Sequence, residues 1–147
     1  MASYEELWHV IDMRVRENND ISHAEISDSG NVRGQAAIQR IAQIFILEIL
    51  LERHREKYAS VFFPLTGEEA LHHLVFKRTG WRPFEAKSLS LSDAMFVIAE
   101  LFREENLPSD AVIFIREQGI KNVSYPVHDF SEKDWDPREN AVFLKQK

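Results

Sequence analysis

Two Glu-x-x-His pairs, Glu6/His9 and Glu69/His72, have the spacing that most directly suggests chemistry. On a helix, side chains three apart share a face and can share a metal ion. Di-iron and di-manganese helical proteins combine two such pairs with one glutamate from each of two further helices. Glu48 and Glu100 stand in segments suited to that part. Glu48 also sits among apolar neighbours, where an unpartnered carboxylate is costly. Together, Glu6, His9, Glu48, Glu69, His72 and Glu100 define one reading of the chain, a metal-dependent helical-bundle enzyme. A plainer reading outweighs it. Ser3/Glu6 and Thr66/Glu69 have the spacing of capping boxes, in which each glutamate turns back to a free backbone N–H. No metal or cofactor is therefore expected.

Other catalytic chemistry has less support. The chain has no cysteine, which excludes a thiolate nucleophile, a thiolate metal site and a disulfide framework. It contains no Gly-x-Ser-x-Gly elbow, and its five glycines form no phosphate-binding loop. The adjacent His72 and His73 point about 100° apart on a helix and cannot chelate one ion together. His54 and His128 stand alone in the sequence. Basic residues gather at Arg53, Arg55 and Lys57, and again at Lys77, Arg78, Arg82 and Lys87 around Trp81. Such a patch can contact single-stranded nucleic acid. The formal net charge of −6 argues against it, and against anionic lipid.

The most suggestive cluster for recognition is acidic and aromatic: Phe130, Glu132, Asp134, Trp135 and Asp136. Aromatic anchors supply buried contact area and flanking charges steer encounter. These five residues are the expected contact points for a protein with a basic surface. The competing view is a tail whose aromatics pack on the body.

The elements that must position these residues follow from periodicity and caps. Leu7, Trp8, Ile11 and Val15 predict a helix over about 4–17. Residues 18–34 are polar and turn-rich and read mostly as loop. A long helix is expected over about 35–58, apolar nearly all round in its first two-thirds. Its end, Glu52 to Lys57, is charged and should project into water. Further helices are expected over about 67–79, 83–87 and from Leu91 towards Pro108. Residues 109–118 could be helix or strand, with the capping signals favouring helix. Val123 to Val127 reads as an extended segment.

With 147 residues, 44% hydrophobic and 29% charged, the chain has the profile of one folded domain. The expected architecture is a mainly α, single-domain bundle of four to five helices over 1–147. One long apolar helix lies at its centre, and residues 120–147 form an irregular, acidic, short-strand segment packed on it. The start of the chain lacks a signal-peptide pattern, and Gln39, Arg40, Gln43 and Glu48 make the apolar stretch a poor membrane span. A cytoplasmic location is expected. The function class these features favour is a non-enzymatic protein-binding module. Its concrete form would be a bacterial-style immunity or antitoxin protein that covers a basic toxin domain. A third reading is a homo-oligomer assembled through the long helix.

Overall fold

A computed structural model describes residues 3–121 and 130–144 of the chain. Eight α-helices and no strand occur among these residues. They are α1 (Tyr4–Asn19), α2 (His23–Ser27), α3 (Val32–Tyr58), α4 (Glu69–Thr79), α5 (Pro83–Lys87), α6 (Leu91–Val97), α7 (Ser109–Glu117) and α8 (Pro137–Leu144).

The long helix α3 organises the rest. Asn31 starts it by accepting a hydrogen bond from the Gly34 backbone N–H at 2.8 Å, a side-chain cap three residues earlier than the apolar periodicity implied. By length and composition α3 could cross a bilayer, but most of its apolar window is buried against the protein's own helices. It packs on α1, α2, α4 and α8. Two apolar clusters form along it. One joins Leu7, Ile11, Ile41 and Phe45 with Ala111 of α7 and Leu144 of α8. The other joins Leu47 and Leu51 with Leu71 and Val75 of α4 and Met95 of α6. In the first cluster Phe45 stacks on Phe114 at 5.3 Å and meets Trp8 edge-on at 5.4 Å.

Several local readings change. Residues 23–27, expected as loop, form α2, started by a capping box between Ser22 and Glu25. This short helix lies so close to α3 that a Cβ on Gly34 would sit 2.0 Å from the Glu25 carbonyl oxygen. Conversely, Ser3 makes no side-chain cap to α1; its backbone N–H instead donates to Phe143 O at 3.0 Å. The apolar stripe after Leu91 does not run on as one helix. It breaks after Val97 into 3-10 turns at Ala99–Leu101 and Glu104–Asn106, which lets Leu101 and Phe102 touch both clusters. Residues 109–117 are helical. The expected extended segment at 123–127 lies outside the described residues. Beyond it, the chain is more regular than its composition implied. Pro137 opens α8 at the position proline favours, with Asp136 Oδ1 accepting from the Glu139 N–H at 3.2 Å.

The charged end of α3 projects into water only in part: Arg53, Glu56 and Lys57 are exposed, while Glu52 and Arg55 are half-buried. Arg53 Nη1 donates to Asn106 O at 2.8 Å and Arg55 Nε to Leu65 O at 3.0 Å. His54, between them, is buried.

Candidate functional site

The six residues of the metal reading are not brought together. Glu6 and His9 are exposed on α1. Glu100 is on the outside of a 3-10 turn, ion-paired with Arg78. Glu69 is exposed at the start of α4, where Thr66 Oγ1 donates to it at 3.4 Å. His72 is half-buried one turn on, and burial lowers its pKa. Glu48 alone is in the core. Among the described residues, no three His, Asp or Glu side chains converge where a metal ion could sit.

Glu48 instead faces the C-terminal segment. Trp135 Nε1 and Asn140 Nδ2 approach its carboxylate, and each stops short of full hydrogen-bond geometry. Burial pushes the Glu48 pKa up to about 7, against the opposing pull of Asn140, Arg55, Trp135 and Arg14. Arg40 and His73 do not reach it; they are engaged with Asp134 and His54.

The acidic and aromatic cluster forms the other part of this seam. Asp134 is fully buried, with Oδ2 3.1 Å from Arg40 Nε. Asn19 Nδ2 donates to both its oxygens at 3.0 Å, and Asn18 Nδ2 to Oδ1 at 3.1 Å. Phe130 is buried under the Arg33 guanidinium, 5.0 Å from its ring centroid. Arg14 ties α1 to α8 through Glu139 Oε1 at 2.6 Å and Asn140 Oδ1 at 2.9 Å. Trp135 and Asp136 are half-buried, and Glu132 is exposed. Phe130 and Asp134, expected to meet a partner, are therefore spent on the fold. The sequence could not show which of these five residues lie beneath the surface.

The opposite situation holds between α3 and α5. Ser60 and Phe63 close a tight turn by exchanging backbone hydrogen bonds of 2.9 and 3.1 Å. Its two central residues, Val61 and Phe62, are each 94% exposed. Turn centres favour Gly, Asn, Asp, Pro or Ser, so Val-Phe there serves no turn geometry. Phe63 is 66% and Phe84 81% exposed, and Phe76 and Trp81 are also open to solvent. Phe63, Phe76 and Pro83 share the wall of an apolar cavity of about 300 Å³ with Glu69, His72, His73 and Lys87. The turn leads into Leu65, which is buried in a left-handed conformation at φ 54. A β-carbon-bearing residue there costs about 1 kcal/mol or more, a strain that recurs at functional loops. Residues 77–87 carry four cations against one carboxylate, Glu85: Arg82 and Lys87 stand on this face, while Lys77 and Arg78 line a separate cleft. The basic bracket around Trp81 was legible in the sequence. The Val61–Phe63 run carried a signal too, an apolar run ended by Pro64, but such a run reads equally well as buried.

Alongside lies a pair of histidines that the sequence left separate. His54 Nε2 and His73 Nδ1 are 2.7 Å apart, so one ring donates to the other. Tyr58 packs against both rings, 4.7 Å from His54 and 5.6 Å from His73.

Comparison with known proteins finds no match: no family model fits the chain, and no curated protein or solved structure is significantly similar to it.

Proposed function

We propose that the chain is a non-enzymatic protein-binding module that grips an acidic partner through the aromatic face of the Val61–Phe63 turn, α4 and α5. One observation carries this reading: Val61, Phe62, Phe63 and Phe84, with Phe76 and Trp81, are left in water within residues 61–84, whereas the other strongly exposed apolar side chains, Val32, Phe96, Ile113 and Val142, come singly from separate helices. Scattered exposed apolar residues are ordinary, but a concentration of them marks a contact surface. Aromatic anchors give such a surface most of its binding energy. The basic rim chooses the partner. Arg82 and Lys87 are exposed with no carboxylate in ion-pair contact among the described residues, so they suit acidic groups around an apolar anchor. A second copy of this chain fits less well. A two-fold contact would bring the unpaired Arg82 and Lys87 of both copies into one interface.

This reading keeps the binding-module class and moves its face. An immunity or antitoxin role remains one form of it, with the polarity of the contact reversed: the open face is basic, whereas Asp134 and Glu139 are held by Arg40 and Arg14. The test is quantitative co-purification from cells that make the protein natively, comparing wild type, Phe62→Ser/Phe84→Ser and Glu132→Lys. The expected result is an acidic protein lost by the aromatic variant and retained by Glu132→Lys. Equal recovery by wild type and the aromatic variant overturns the reading, as does a concentration-dependent dimer that Phe62→Ser/Phe84→Ser abolishes.

A further inference from the structure

A second cleft, of about 650 Å³, opens between the C-terminal half of α3, α4 and the 3-10 turns after α6. That volume lies within the range of small-molecule sites, roughly 300–1,000 Å³. Its floor is apolar, from Leu50, Leu74 and Leu101. Its walls carry Arg53, Lys57, Lys77 and Arg78 against two carboxylates, Glu56 and Glu105. The positive balance is local, since the whole chain is acidic at −6.

The four cations are not equivalent. Arg78 is paired with Glu100, and Arg53 is braced by the Asn106 carbonyl. Lys57 and Lys77 have no carboxylate within ion-pair distance among the described residues. Both ammoniums instead stand at the Tyr58 ring, 5.3 and 5.1 Å from its centroid. Tyr58 thus gathers two cations that no carboxylate of the described residues neutralises. Burial, then His73, Arg55, Lys77 and Lys57, lower the His54 pKa to about 4, so this imidazole stays neutral at physiological pH. The cleft is thus positive through fixed cations.

We propose that this cleft binds a small phosphorylated molecule, with its phosphoryl oxygens between the Lys57 and Lys77 ammoniums and the Arg53 guanidinium. Several cations around one point suit an anion whose charge is spread over several oxygens. The leucine floor would take the apolar part of the ligand. The site does not depend on the aromatic face, because Arg82 and Lys87 do not line it.

Pyrophosphate titrated at constant ionic strength and pH 7, read by the NMR signals of the His54 and His73 rings, tests this. The ring signals should shift and saturate with a midpoint below about 1 mM, equivalent to about 4 kcal/mol of binding. Lys57→Gln/Lys77→Gln should raise the midpoint at least about tenfold. Arg82→Gln/Lys87→Gln should leave it unchanged and keep the aromatic face separable from the cleft. Shifts in the wild type that stay linear to about 10 mM overturn the proposal, since a Kd above that range is only bulk electrostatic attraction. So does an unaltered midpoint in the Lys57→Gln/Lys77→Gln variant, whose substitutions are on the surface and spare the core.

Discussion

Two regions of this molecule use the same ingredients, aromatic rings beside charged groups, in opposite ways. At the C-terminal seam, Phe130 is buried, Trp135 half-buried, and Asp134 has four polar contacts inside the protein. At the α3–α5 face, Phe62 and Phe84 stand in water, and Arg82 and Lys87 have no ion-pair partner among the described residues. A charge with a buried, satisfied partner belongs to the fold. A charge beside uncovered rings is available to something else. Composition does not separate the two cases; burial and pairing do.

The contrast should be sharpest in stability. Asp134→Ala leaves Arg40 buried without its counter-charge, and such breaks cost about 3–5 kcal/mol. Urea denaturation measures it, and a loss below about 1 kcal/mol would move the seam out of the structural class.

Glu48 should give the next largest effect, and it has a sign. Its folded pKa of about 7 lies above the ordinary value of 4.5, so the folded protein holds a proton the unfolded chain has released. Stability from this group is full below about pH 4.5 and falls as pH rises towards 7. The span corresponds to about 3 kcal/mol at most. Glu48→Gln keeps the shape and an acceptor for Trp135 and Asn140 while removing the charge. It should stabilise the protein at pH 8 and flatten the slope between pH 5 and 7. A variant with the wild-type slope would show that another group is responsible.

Gly34→Ala comes third. Its methyl would run into the Glu25 carbonyl, forcing α2 off α3, and overpacking of this kind costs about 1–3 kcal/mol. A variant as stable as wild type in thermal unfolding would mean that α2 yields freely. Smallest of all is the expected effect of Val61→Ser/Phe62→Ser, within about 0.5 kcal/mol of wild type, because neither side chain has cover to lose. A clear loss would show that the turn packs on the body.

The helical class and the long α3 were legible because local signals agreed: good helix formers, few breakers, and caps at Ser90 and Gly80, whereas the Asn31 cap lay in a stretch that reads as loop. Residues 109–117 followed from the same kind of signal. What was not legible depends on distant partners. Glu48 could be singled out, but Trp135 and Asn140, which face it, come from far along the chain. Asp134 looked like a steering charge because Arg40, its counter-ion, lies 94 residues away. Glu6 and Glu69 have helical spacing to their histidines, yet spacing fixes a face and not what the face meets. The start of α8 did carry a local signal, Asp136 before Pro137, masked by the acidic run around it.

The central claim is that the Val61–Phe63 turn, and not the C-terminal seam, meets the partner. A photo-crosslinking amino acid placed at Phe62 or at Glu132, both exposed, tests it in cells that make the protein natively. The expected result is a discrete adduct with an acidic protein from position 62 and none from position 132. An adduct from position 132 alone would contradict the account.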